Sequence, residues 1–197
     1  MIELKNLLVG YSRDKPLFPE INLVVEDKVY GIIGKSGTGK TTLLRTISGL
    51  NKPLSGEIIN QGNEKIYMMH QNYMCFDWLT VMDNILIVAK VNHMKVTNKI
   101  TTTAQDCIDS VGLSGFEKYY PAELSGGMRQ RLALARTIFI NPKIILMDEP
   151  FSALDDNTRS VIQDLVLDIH KKTQSSIIMV THSQAEANKM CDHIIRI

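Results

Sequence analysis

Residues Gly34, Lys35, Ser36, Gly37, Thr38, Gly39, Lys40 and Thr41 form a G-x-x-x-x-G-K-T string, with Thr42 directly after it. Glycines at this spacing let the backbone bend until successive N–H groups converge on phosphate oxygens, and a helix opening there adds its positive dipole end. Lys40 would neutralise charge on the β and γ phosphates of a nucleoside triphosphate. The Thr41 hydroxyl would complete magnesium coordination. A glycine-rich turn that binds nothing is the plainer alternative, but the full string stands between a strand pattern and a helix pattern.

A second acidic element complements the first. The apolar run Ile144-Ile145-Leu146-Met147 ends in Asp148-Glu149-Pro150. Asp148 can hold magnesium through water, and Glu149 is placed to polarise the water that attacks a γ-phosphate. A third segment, Leu124-Ser125-Gly126-Gly127-Met128, heads a helix continuing through Arg131 and Leu132. The Ser125 hydroxyl, the backbone N–H groups of Gly126 and Gly127 and the helix dipole can bind phosphate there. An ordinary serine N-cap would look the same locally.

The elements needed to carry these groups can be read from periodicity. Ile21 to Val25 and Val29 to Ile33 are short β-rich runs, the second leading into the glycine loop. After Lys40, residues Leu43, Leu44, Ile47 and Leu50 fall on one helical face, with Gly49 near the expected end, and Pro53 with Gly56 marks a turn. Ile58-Ile59 and Ile66 to Met69 read as further strands. From about 72 to 141 the pattern turns helical, with Ala104, Cys107, Ile108 and Val111 as one apolar stripe and Leu132, Ala135 and Ile138 as another. Ile144 to Met147 has the continuous apolar character of a strand buried in a parallel sheet. A helix with Ile162, Leu165, Val166 and Ile169 facing inward follows, then the strand Ile177 to Val180. Alternating strands and helices predict an α/β fold with a parallel sheet. The expected organisation is one domain over 1–197, with a core of 1–71 and 142–197 and an inserted helical subdomain at about 72–141.

Composition narrows the function classes. The 197 residues are long enough for a sizeable core, and 44% apolar content indicates a globular chain. A formal net charge of +1 gives no support to bulk binding of nucleic acid. Cys75, Cys107 and Cys191 are odd in number and widely spaced, which favours reduced thiols over a disulfide framework. No signal peptide is visible, and the most apolar segments fall short of the roughly 20 residues a membrane helix needs. A membrane role would therefore require docking onto another subunit.

Taken together and in this order, the motifs resemble those of the ATP-binding cassette (ABC) ATPases over nearly the whole chain. The resemblance implies a P-loop NTPase core with additional N-terminal antiparallel strands. It assigns Gln71 to the glutamine that touches magnesium and the attacking water, and His182 to the switch histidine on the γ-phosphate. Leu124 to Met128 matches the signature sequence, and Ser152-Ala153-Leu154-Asp155 the D-loop, with Asp155 reaching across a dimer. Tyr11 stands where the family places an aromatic ring against adenine. The resemblance implies that the glycine loop of one subunit and the signature of another, Ser125 to Met128, close on the same ATP. The implied ligands are ATP and Mg2+, and the implied partner is a second ATPase subunit, most simply a second copy.

Soluble members commonly carry coiled-coil insertions or two cassettes; this chain shows one cassette, no sustained heptads and no basic tract, so transport is favoured. Trp78 to Asn84, Gly127 to Arg131 and Glu149 to Asp155 resemble the nitrate, sulfonate and taurine importer group, and Met128 in place of the usual glutamine fits it. Cys75-Phe76-Asp77-Trp78 stands where that group commonly has Leu-Leu-Pro-Trp. Such a subunit is expected at the cytoplasmic face of the membrane, attached through permease subunits and served by an extracytoplasmic solute-binding protein. Asn72 to Val81 would lie near the permease, with Trp78 either an anchor or a core residue. A soluble regulatory or nucleic-acid-associated ATPase, and a small-molecule phosphotransferase, are the competing readings.

Overall fold

The computed structural model describes residues 1–12, 15–62, 64–70 and 75–197, which fall into two compact units. The first comprises Met1–Met68, Lys143–Pro150 and His170–Ile197, and the second Met69–Pro142 and Phe151–Ile169.

The first unit is built on two sheets. In one, β1 (Ile2–Leu8) lies between β4 (Ile21–Val25) and β6 (Ser55–Asn60), antiparallel to both. The short strands β2 (Gly10–Ser12) and β3 (Lys15–Pro16) pair beside it. The other sheet has the order β10 (His193–Arg196), β5 (Val29–Ile33), β9 (Ser176–Thr181), β8 (Ile144–Asp148) and β7 (Ile66–Met69), with the first four strands parallel. Every residue of β8 and β9 is buried, as expected for strands covered on both faces. Ile32, Leu146, Ile178 and Val180 join Ile2, Leu4, Leu43, Leu44 and Ile47 in a single apolar core. Each such side chain contributes about 1.5–3 kcal/mol by leaving water.

Strand register sets the position of the chemistry. Ile33 pairs with Thr181, and Asp148 with Val180. The carboxyl ends of β5, β8 and β9 are therefore level, and Gly34, Glu149 and His182 emerge from one edge of the sheet. Ligands of open α/β sheets bind at that edge.

Two local expectations are corrected. Helix α1 spans Lys40–Ile47 and stops before Leu50, which is 63% exposed. Gly49 adopts φ 80°, and Leu50 N donates to Arg45 O while Gly49 N donates to Thr46 O, which together end the helix in a left-handed cap. Gly56 is not a turn residue but lies within β6, where the pairing with β1 shifts register.

The second unit is helical: α2 (Val81–Val91), α3 (Asn98–Ser110) and α4 (Gly126–Ile140) pack on one another. Side-chain caps start all three, with Thr80, Thr97 and Ser125 accepting from the N–H groups of Asp83, Ile100 and Met128. Ala104, Cys107, Ile108, Val111, Leu132 and Ala135 are buried as the stripes require, whereas Ile138 is half-buried. Helix α5 (Asp156–Thr173) begins in this unit and α6 (Gln184–Met190) follows β9 in the first. Among the described residues, no helix is long and apolar enough to cross a membrane.

Candidate functional site

The loop from Gly34 to Gly39 joins β5 to α1 and is tightly closed. Thr38 donates from its N–H and its hydroxyl to the Lys35 carbonyl, at 3.4 and 3.0 Å. Gly39 caps α1 at φ 97°, in the left-handed region, and a Cβ there would stand 2.5 Å from Leu17 Cδ1. Only glycine satisfies both conditions. Gly37 also has positive φ, 82°, and faces open space.

Lys40 is the one charged side chain of this loop that is buried, 5% exposed. Its ammonium donates to the carbonyls of Gly34 at 2.9 Å and Lys35 at 2.8 Å, which holds the charge over the loop. A phosphate in the loop would offer the same ammonium stronger, charge-assisted acceptors. Lys35, Ser36 and Gly37 are exposed, while Thr38, Gly39 and Thr41 are half-buried. Tyr11 is 83% exposed, and its hydroxyl lies 3.2 Å from Thr42 Oγ1 in the first turn of α1. That hydrogen bond stations an uncovered aromatic ring beside the loop.

From the neighbouring strands come three more groups. Asp148, 2% exposed, ends β8. Glu149 follows with φ 49°, its N–H donating to Val180 O at 3.0 Å. A non-glycine residue in this conformation is strained by roughly 1–3 kcal/mol, and such strain concentrates at functional positions. His182 Nδ1 lies 3.5 Å from Glu149 Oε1, with the imidazole largely exposed. Thr181 donates through Oγ1 to Glu186 Oε2 at 2.6 Å and accepts from Ser183 N at 3.0 Å. Ser183 Oγ accepts from Glu186 N at 3.2 Å. Both chain neighbours of His182 are thus tied to Glu186, a role that no sequence spacing suggests.

In the second unit, Ser125 caps α4, its Oγ accepting from Met128 N at 3.2 Å. The N-terminus of α4 opens on a cleft of about 390 Å³ lined by Ser125, Gly127, Arg131, Leu154, Asp155 and Thr158, among others. Asp155 caps α5: its Oδ1 accepts from Thr158 N at 3.0 Å. Hydrogen bonds from the backbone and hydroxyl of Thr158 hold the exposed Asp155 carboxyl below the usual range. Burial lowers the pKa of Arg131, and the Asp155 carboxylate opposes that shift. Gln130, which falls in the Gly127-to-Arg131 resemblance but has no role of its own assigned by it, is 1% exposed and accepts from Ala153 N at 3.1 Å.

Gln71 lies outside the described residues. Trp78 is 74% exposed and is not a core tryptophan. Its turn is held by the buried Asn84, which accepts from Phe76 N and donates to the carbonyls of Phe76, Leu79 and Thr80. Burial raises the thiol pKa of Cys107 to about 11 and of Cys191 to about 12, so neither is a nucleophile near neutrality. Among the described residues, no group of three or more His, Cys, Asp or Glu side chains could hold a metal ion.

Comparison with known proteins agrees with this geometry. Residues 21–152 match the family model described as ABC transporter. The chain is 38% identical to the nitrate import ATP-binding protein NrtD of Synechocystis sp., over 94% of this chain and 72% of that protein. It is 39% identical to the sulfate/thiosulfate import ATP-binding protein CysA of Mesorhizobium japonicum, over 91% of this chain but only 56% of that protein. The dimeric structure of a post-hydrolysis state of the ATP-binding cassette MJ0796, bound to ADP and Pi, superposes with a TM-score of 0.89 at 28% identity, covering 100% of this chain and 94% of that one. With the family model spanning most of its length and the parallel-sheet edge carrying the phosphate loop, the chain belongs to the ABC transporter family as an ATP-binding cassette.

Proposed function

We propose that this chain is the ATP-hydrolysing subunit of a solute importer, working as one of two cassettes that close on ATP and drive a membrane permease. The observation that carries the reading is the shared edge of three adjacent parallel strands, where the loop leading to Lys40 leaves β5, Asp148 ends β8 with Glu149 after it, and His182 follows β9. Backbone N–H groups of 34–42 bind the phosphates, Lys40 neutralises their charge, and Tyr11 stacks on the base.

Glu149 accepts a proton from the attacking water, and His182 orients the γ-phosphate and the carboxylate together. Magnesium fits the donors present: Thr41 offers a hydroxyl and Asp148 a carboxylate, hard oxygens on α1 and β8, which pack together. When bound, the ion would draw negative charge from the phosphate oxygens. Gln71 is assigned to the same water by the family motif.

Ser125 to Met128 and Asp155 belong to the second half of the reading. They would meet the ATP held by the partner copy, so that two nucleotides are shared by two chains. The γ-phosphate then contributes contacts to the closed pair that vanish after hydrolysis, which biases the open and closed equilibrium. Trp78 is the proposed anchor for the permease, and a small anion is the proposed cargo: nitrate or sulfate by similarity to the relatives' named substrates, or a sulfonate by the motif resemblance. Such a subunit would sit on the cytoplasmic face of the membrane, with an extracytoplasmic solute-binding protein selecting the cargo.

The test is magnesium-dependent phosphate release, combined with isolation from detergent-solubilised membranes. Turnover plus recovery of a multispan membrane protein supports the reading. Turnover with recovery of nucleic acid or ribosomes only would favour a soluble regulatory ATPase instead.

A further inference from the structure

Ala153, in the segment after β8, has its backbone gripped by α4. Its N–H donates to the buried Gln130 Oε1 at 3.1 Å. One turn earlier on the same helix, a Cβ on Gly127 would stand 3.2 Å from the Ala153 carbonyl oxygen. The helix therefore holds the Ala153 N–H by a hydrogen bond and closely approaches the carbonyl of the same residue, in the next peptide group. From α5, Arg159 donates to Leu154 O at 2.6 Å and to Phe151 O at 3.4 Å. The two clamps leave Ser125 and Asp155 lining one cleft.

We infer that Gln130 is a positioning residue that fixes the Ser152-to-Asp155 segment to the helix headed by Ser125, so that both meet the second subunit as a single preformed face. It acts through Ala153 and touches no nucleotide. The inference rests on the two-chain reading of the site and adds to it a prediction of direction: Gln130 serves the ATP bound by the partner copy rather than the ATP bound by its own chain. Removal of its acceptor frees the segment while the phosphate loop is unaltered.

Two substitutions separate this role from a general loss of folding. Gln130→Leu keeps the approximate volume and removes the acceptor, whereas Gln130→Glu keeps an acceptor oxygen for Ala153 N. Expected results are unchanged ATP affinity for Gln130→Leu as a monomer, faster amide exchange at 152–155, and turnover reduced at least tenfold. Gln130→Glu recovers a substantial part of that turnover. Mixed dimers of Gln130→Leu with Glu149→Gln regain turnover that neither variant shows alone, because one shared site then holds native Glu149 opposite a native signature face. Native turnover by Gln130→Leu, or mixed dimers no faster than the better single variant while a Ser125→Arg and Glu149→Gln mixture does regain turnover, overturns this inference alone. A native protein that hydrolyses ATP without pairing overturns the two-chain reading and this inference with it.

Discussion

His182 Nδ1 stands 3.5 Å from Glu149 Oε1, on the loops that leave the adjacent parallel strands β9 and β8. The imidazole is within reach of the carboxylate proposed as general base, and it is exposed enough to meet a γ-phosphate as well. Both residues owe their position to backbone devices. Glu149 is turned by its left-handed conformation, and His182 is bracketed by Thr181 and Ser183, which Glu186 ties together.

Replacement of His182 by Ala is expected to lower steady-state turnover by about 10² or more, within the range for loss of an acid–base or orienting group. Nucleotide affinity should change little, since the phosphates are held by the loop at 34–42. Single-turnover phosphate release and equilibrium ATP binding on the same sample separate the two effects. Combining His182→Ala with Glu149→Gln should add far less than the product of the single effects, as for groups that act as a unit.

Gly39→Ala should weaken nucleotide binding at least tenfold and also lower stability. Its left-handed φ and the Leu17 side chain at 2.5 Å from the added Cβ both oppose the change, and the conformational part alone costs about 1–2 kcal/mol. Lys40→Ala should weaken triphosphate binding with a smaller effect on thermal stability. Titration with a fluorescent ATP analogue, beside a melting curve, distinguishes a distorted loop from a missing charge.

Asn84→Ala should destabilise the protein by about 1–3 kcal/mol, because it strips partners from the 76–80 turn and leaves buried polar groups unpaired. Urea unfolding measures this directly. Trp78→Ala, by contrast, should leave the unfolding midpoint unchanged, as an exposed ring contributes little to the core. Its expected consequence is reduced retention of membrane subunits in a detergent pull-down.

Much of the first unit was legible because its signals are contiguous. The G-x-x-x-x-G-K-T string is one unbroken stretch joining β5 to α1, the apolar runs 144–147 and 177–180 each lie within one strand, and their order implied a parallel sheet. Register was not legible: that Asp148 pairs with Val180, and Ile33 with Thr181, emerges only when the strands assemble. Gly49 marked the end of α1 in the sequence, whereas the apolar periodicity ran one residue beyond it to Leu50, which is exposed. Gly56 read as a turn because composition cannot distinguish a loop glycine from one at a strand irregularity. Trp78 was ambiguous, since its burial depends on neighbours remote in sequence. Gln130 fell within the Gly127-to-Arg131 resemblance, but its role was not legible, because the partner of its side chain, Ala153 N, lies 23 residues away in sequence.

The central claim is that ATP closes two copies of this cassette, and the most direct measurement is the mass of Glu149→Gln in solution with different nucleotides. Light scattering on a size-exclusion column should give twice the 22.2 kDa chain mass with ATP and the single-chain mass with ADP. A protein that binds ATP stoichiometrically yet stays at the single-chain mass would contradict the account.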